Sequence, residues 1–125
     1  MLEAAVGRRA SVQIYGADYP APDGAAVRGY IHVEDLAGAH LLVLEGTGEA
    51  KPGEHKIYNL GNGARFSVEE VVKSAREGTG RAFEAVEVPR RVGDPAVLVA
   101  SSRKIREQLG WAPRKPKLGT ITSDT

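Results

Sequence analysis

The 125-residue chain contains no cysteine. This absence excludes disulfide frameworks, thiolate nucleophiles and cysteine-ligated zinc. Hydrophobic runs are short, as at residues 41–44, and fall far below the roughly 20 residues that a membrane-spanning helix needs. The first residues also lack the basic and then apolar order of a signal peptide. We therefore expect a soluble, cytoplasmic protein of about one domain.

Charge of one sign is also missing, because 17 Lys and Arg residues balance 16 Asp and Glu residues to a net charge of +1. A protein that binds nucleic acid through bulk phosphate attraction would carry a concentrated basic excess, so we expect no nucleic-acid partner. His32, His40 and His55 are not spaced as paired metal ligands, and no metal site is predicted. His40 falls on the apolar face of a predicted helix, where a packing role is expected.

The glycine-rich fingerprints of dinucleotide and nucleoside triphosphate sites are absent, as is the G-x-S-x-G nucleophile motif. The chain therefore has no cofactor-binding or catalytic residue of these kinds.

The patterns that are present predict short strands alternating with helices. Ser67 and Glu70 have the spacing of a capping box, and Gly78 is a candidate stop for the helix that begins there. Helices are predicted over residues 1–10, from 34 to about 45, 68–77 and 102–109, and strands over 11–15, 27–33, 56–60 and 84–88. This order predicts a small α/β unit, a lobe that packs on something larger.

Two arginines have the chemistry of a phosphate site. Arg28 lies in an otherwise apolar extended segment, and Arg91 lies in a loop beside Asp94. A guanidinium matches phosphate oxygens with a planar fork of donors, and a carboxylate accepts from sugar hydroxyls. The alternative is that Arg28 pairs with a surface carboxylate and that Arg90 and Arg91 form a solvated charge run.

Residues 28–37 (RGYIHVEDLA) resemble the R-D-Y-I-H-V-x-D-L-A stretch of the UDP-glucose 4-epimerase family of extended short-chain dehydrogenases/reductases. Further matches follow in family order at residues 14–16 (IYG), 18–20 (DYP), 23–24 (DG), 57–63 (IYNLGNG), 66–68 (FSV), 89–91 (PRR), 93–96 (GDPA) and 109–113 (LGWAP). The resemblance covers residues 2–116.

The resemblance implies that residues 1–116 are the C-terminal UDP-sugar-binding lobe of an NAD-dependent epimerase, and that residues 117–125 are a divergent or truncated tail. The family's Rossmann domain, which binds NAD and carries a catalytic Tyr-x-x-x-Lys pair, has no counterpart in this sequence. The family oxidises the sugar at C4 with NAD, rotates it and returns the hydride to interconvert UDP-glucose and UDP-galactose. We therefore expect no catalytic residue here, no activity of the chain alone, and a homodimer only for the longer family enzyme.

The resemblance also assigns roles. Arg28 and Arg91 correspond to the arginines that bind the UDP diphosphate, and Asp94 to the acidic residue at the ribose. Gln13 and Tyr15 lie in the segment that borders the uracil. Gly29 departs from the family, which has Asp at that position.

Two alternatives to the epimerase remain open. One is another nucleotide-sugar epimerase or dehydratase of the same family. The other is a non-catalytic, truncated module that binds UDP-sugar.

Overall fold

The computed structural model describes residues 2–124. Along the chain its elements are α1 (Leu2–Ala5), β1 (Ser11–Tyr15), β2 (Val27–Arg28), α2 (Val33–Thr47), β3 (Phe66–Ser67), α3 (Val68–Thr79), β4 (Glu84–Val88), β5 (Val97–Leu98), α4 (Arg103–Leu109) and α5 (Leu118–Ser123). The predicted mixed α/β class with short strands is confirmed. No helix within residues 2–124 is long and apolar enough to cross a membrane.

The strands form two small sheets. β1 and β4 pair in parallel, with Ser11 opposite Glu84 and Tyr15 opposite Val88. In the second sheet β2 is central, antiparallel to β3 and parallel to β5. The strands predicted at 11–15 and 84–88 are confirmed at both ends, whereas residues 27–33, predicted as a strand or an extended segment, form a strand only over Val27–Arg28.

Three helix ends follow from glycine. The amide of Gly7, at φ 77°, donates to Ala4, and the amide of Arg8 donates to Glu3. This Schellman arrangement ends α1 at Ala5, so the helix predicted over residues 1–10 is wrong beyond that point; Met1 lies outside the described residues. Gly80 and Gly110, both left-handed, follow α3 and α4. Gly80 therefore ends α3, and the stop predicted at Gly78 is wrong.

The first hydrophobic cluster packs α1, β1 and α3 together. Val72 and Ala75 of α3 are almost fully buried against Ile14 of β1 and Phe83. The capping box that begins α3 is present as predicted: Glu70 N donates to Ser67 Oγ at 3.0 Å, and Ser67 N donates to Glu70 Oε2 at 2.7 Å.

The second hydrophobic cluster packs α2 against α4 and Trp111. Its buried members are Ala39, Ile105 and Trp111. The segment after α4 is held by Asp35, whose carboxylate accepts from the amides of Arg114 at 2.8 Å and Lys115 at 3.0 Å. The Asp35 carbonyl accepts from Trp111 Nε1 at 3.1 Å.

Residues 56–60 form no strand. Tyr58 and Leu60 pack on the second cluster, and the carbonyl of Ile57 accepts from Lys104 Nζ at 2.8 Å. No neighbouring strand in the described chain supplies the hydrogen bonds of a sheet. The predicted strand is therefore wrong.

Two parts of the structure had no signal in the sequence analysis. His32, 1% exposed, caps α2 by accepting the amide of Glu34 at Nδ1. The helix α5 packs on α3, and the hydroxyls of Ser74 and buried Thr122 lie 2.9 Å apart. His40, by contrast, is exposed, with Nδ1 2.8 Å from the Leu36 carbonyl, so the predicted packing role is wrong.

Candidate functional site

Arg28 stands in the central strand of the three-stranded sheet. Its Nη1 donates to the carbonyl of Val27 at 2.9 Å and to that of Pro95 at 3.0 Å. Among residues 2–124 its Nε and Nη2 have no hydrogen-bond partner, and Arg28 pairs with no carboxylate. The guanidinium is thus fixed at one nitrogen and keeps donors for an anion.

Arg91 and Asp94 form a pair in the loop that leads into β5. Arg91 donates from Nε to Asp94 Oδ2 at 2.9 Å, and its Nη2 lies 2.8 Å from the same oxygen in an ion pair. The pair uses one edge of the guanidinium, so Nη1 retains its donors. The second carboxylate oxygen of Asp94 retains its capacity to accept.

Tyr15 connects this pair to the end of β1. The Arg91 guanidinium lies 4.5 Å from the centre of the Tyr15 ring, and the Tyr15 hydroxyl donates to Gln13 Oε1 at 2.6 Å. A cation over an aromatic face is held by the ring quadrupole. Gln13 and Tyr15 point to the same face of β1 because they are two residues apart.

The five residues singled out from the sequence therefore form one sequence of contacts. Gln13 contacts Tyr15, Tyr15 contacts Arg91, and Arg91 contacts Asp94, whose neighbour Pro95 binds Arg28. The alternative of a solvated charge run at 90–91 describes part of what is found. Both arginine side chains are exposed, but Arg90 pairs with Asp18, Nε to Oδ1, at 2.5 Å.

Tyr30 adds a residue that the sequence analysis did not place in the site. Burial raises the pKa of its hydroxyl, and the positive charge of Arg28 lowers that pKa by a smaller amount. Tyr30 therefore lies in the electrostatic field of Arg28. The available signal was spacing, since residues two apart in an extended segment share a side.

Gly29, between them, does not need to be glycine for steric reasons. A Cβ there would meet Val99 Cγ1 at 3.6 Å and the Ala100 amide nitrogen at 3.7 Å, both ordinary contacts. Its φ is not positive, since it is absent from the positive-φ glycines of the described chain.

Similarity to known proteins covers almost the whole chain. No family model matches the chain. UDP-glucose 4-epimerases from Corynebacterium glutamicum and Streptomyces lividans are 48% identical over 124 residues and 50% identical over 123 residues. These alignments cover 99% and 98% of this chain and 37% and 36% of the relatives.

The structural similarity agrees with the sequence similarity: the fold of this chain also matches UDP-glucose 4-epimerases. A crystal structure of UDP-glucose 4-epimerase from Bifidobacterium longum, in complex with NAD+ and UDP, matches with a TM-score of 0.86 and 37% identity. The match covers 97% of this chain and 35% of that one. This chain is homologous to UDP-glucose 4-epimerases over about one third of their length.

The homology gives the site a context but assigns no residue. This chain spans about one third of the length of these relatives. The roles predicted for Gln13, Tyr15, Arg28, Arg91 and Asp94 stay predictions.

Proposed function

We propose that this chain forms the UDP-binding part of a UDP-glucose 4-epimerase, an isomerase that interconverts UDP-glucose and UDP-galactose in galactose metabolism. The observation that carries the proposal is that two partly unpaired guanidiniums bind adjacent residues of one short segment. Arg28 binds the carbonyl of Pro95, and Arg91 binds the carboxylate of Asp94.

The two arginines would bind the diphosphate. Each is already held by a protein acceptor, and each retains N–H donors without a partner in the described structure. A cation that is fixed before the ligand arrives loses less side-chain entropy on binding. Charge-assisted bonds to phosphate oxygens are among the stronger hydrogen bonds in proteins.

Asp94 would accept from the ribose, and Tyr15 and Gln13 would border the uracil. The Asp94 side chain is 24% exposed and is oriented by Arg91, so its second oxygen is available to a hydroxyl. The Tyr15 ring, 37% exposed, offers an apolar face beside the cation.

This part of the enzyme would anchor the nucleotide and leave the hexose to the rest of the protein. Binding energy at the diphosphate is remote from the reacting carbon and positions it. A firm hold on UDP with few contacts to the hexose permits the sugar to turn between the two hydride transfers.

NAD supplies the hydride chemistry in the family, but the residues of this chain do not fit NAD. The sequence has neither a dinucleotide fingerprint nor a tyrosine followed four residues later by lysine. We therefore expect the chain alone to be inactive, and the cofactor site, the proton-transfer residues and the homodimer contact to belong to the rest of a longer, cytoplasmic enzyme.

Titration of the chain with UDP in a calorimeter tests the proposal. We expect Arg91→Ala to weaken UDP binding by about tenfold, because a charged hydrogen-bond donor to the diphosphate is lost. Arg8→Ala is the matched control, since Arg8 is exposed and removes the same charge outside the site. Equal affinities of the wild type and Arg91→Ala would remove Arg91 from the site.

A coupled epimerase assay tests the second half of the proposal. The chain alone should give no turnover above buffer. Turnover should appear when the remaining two thirds of a homologous epimerase and NAD are supplied. Turnover by the chain alone would contradict the assignment of the catalytic groups to the rest of the enzyme.

A further inference from the structure

A second basic hollow lies beyond the end of β5. It measures about 520 Å³ and is lined by the turn at 63–65, the segment 99–102 and the first part of α4. Three of its lining side chains are arginines, Arg65, Arg103 and Arg106, and one is acidic, Glu107. The side chains of this hollow therefore carry a net charge of +2, three positive less one negative.

Arg106 is the fixed member of this group. Its Nε donates to the Oγ of Ser102 at 3.0 Å, and Ser102 is buried. Its Nη2 lies against the backbone of Gly63, where a Cβ would come within 3.4 Å of it. The guanidinium is thus held by a neutral acceptor and keeps its full charge at the wall of the hollow.

The other two arginines are weakly neutralised. Arg65 has no hydrogen bond or ion pair among residues 2–124, and the Nε of Arg103 is 3.9 Å from Glu107 Oε1. Elsewhere in the molecule Arg91 pairs with a carboxylate oxygen at 2.8 Å and Arg9 at 2.7 Å. Like charges kept together without close counter-ions repel each other, and a bound anion relieves that repulsion.

We propose that this hollow is a second anion site that takes a phosphate group, either the free ion or a small phosphomonoester. It is distinct from the proposed UDP site, because none of Gln13, Tyr15, Arg28, Arg91 and Asp94 lines the hollow. Planar guanidiniums suit phosphate oxygens, and three of them line this one hollow.

Backbone amide NMR of the chain, titrated with sodium phosphate at constant ionic strength set by sodium chloride, tests the proposal. We expect saturable shifts of amides in residues 63–65 and 99–107. The titration is run in an Arg91→Ala background, which weakens phosphate binding at the proposed UDP site. The result is read from amides at 63–65 and 99–107, so failure of the UDP proposal leaves it intact.

Arg65→Gln and Arg106→Gln should each weaken phosphate binding by about fivefold, the factor that corresponds to an exposed ion pair. Arg65 has no hydrogen-bond or ion-pair partner in the described structure, so Arg65→Gln should leave the fold unchanged. Arg106→Gln removes the hydrogen bond to Ser102 and could disturb the fold, so Arg65→Gln is the decisive variant. Arg8→Gln is the matched control and should bind like the background.

A parallel titration with glycerol phosphate separates the two forms of the ligand. Tighter binding of glycerol phosphate indicates a phosphomonoester site, and equal affinity indicates a site for the free ion. Shifts that chloride reproduces, or an affinity that Arg65→Gln does not change, would overturn the proposal.

Discussion

The two hydrophobic clusters hold their surroundings together by different means. The first cluster is held by regular secondary structure: β1 and β4 pair over five residues each, and α3 begins at a capping box. In the second, an irregular segment after α4 is held against α2 by one buried carboxylate, that of Asp35, and by the carbonyl of the same residue.

The difference shows how a chain without long strands closes a core. A sheet satisfies its backbone donors within itself, whereas an irregular segment must find acceptors elsewhere. Asp35 provides them for two successive amides from 79 and 80 residues away in sequence. The second cluster should therefore depend on one side chain more than the first does.

The largest effect is expected from Asp35→Ala. The change leaves the amides of Arg114 and Lys115 without their acceptor, and we expect a loss of about 3 kcal/mol in the free energy of unfolding, measured by urea denaturation. Asp35→Asn retains one acceptor and should fall between the alanine variant and the wild type. Amide exchange should accelerate in α2 and α4 before β1 and β4. Uniform acceleration in both regions would contradict the separation of the clusters.

Val72→Ala addresses the first cluster in the same way. Val72 is 0% exposed, and loss of two buried methyl groups should cost about 2 kcal/mol. Leu44→Ala, on the exposed side of α2, is the control and should change little, because Leu44 is 68% exposed. A larger cost at Val72 than at Asp35 would reverse the order of the two regions.

A smaller effect is expected at the capping box. Ser67→Ala removes the acceptor of the Glu70 amide and the donor to Asp23, and thermal unfolding should report a loss of about 1 kcal/mol. Ser67→Asn, which retains a capping oxygen, should recover part of it. If both variants unfold like the wild type, the box does not stabilise α3.

The smallest effect is expected at the exposed ion pair between Lys115 and Asp124, near the end of the described chain. The Lys115 ammonium, 2.8 Å from Asp124 Oδ2, lowers the pKa of that carboxyl, and a bond from Ser123 adds to the shift. Because the folded pKa lies below the ordinary 3.8, the stabilisation is present above that pH and is lost as the pH falls through the folded value. Asp124→Asn should therefore have a slightly lower Tm than the wild type at neutral pH and the same Tm in strong acid. A difference that persists in acid would show that the charge is not its cause.

Local sequence patterns predicted the elements around the first hydrophobic cluster better than those around the second. The alternation at 11–15 and 84–88 gave both strands, and Ser67 with Glu70 gave the start of α3. These features depend on residues that are adjacent or three apart. Gly7 was overlooked as a helix stop, although its left-handed φ of 77° is a conformation that glycine readily adopts.

Long-range contacts account for what the sequence analysis missed. Nothing near Asp35 in the sequence indicates that its acceptors serve residues 114 and 115, and nothing near residues 56–60 indicates that no strand will pair with them. The candidate site also divides into what the sequence indicated and what required the structure. The residue types at 28, 91 and 94 indicated anion chemistry, whereas the alternative of solvated or surface-paired charges could not be decided until their partners were known.

By itself, then, the amino-acid order fixed the kinds of groups available, the strands and caps that depend on neighbouring residues, and a resemblance that homology over about one third of the UDP-glucose 4-epimerases bears out. Only the tertiary structure decided that Arg28 and Arg91 bind the adjacent residues Pro95 and Asp94, and that three other arginines line a separate hollow. The physical reason is that hydrogen-bond partners and charge neutralisation depend on distances in space, which sequence separation does not set.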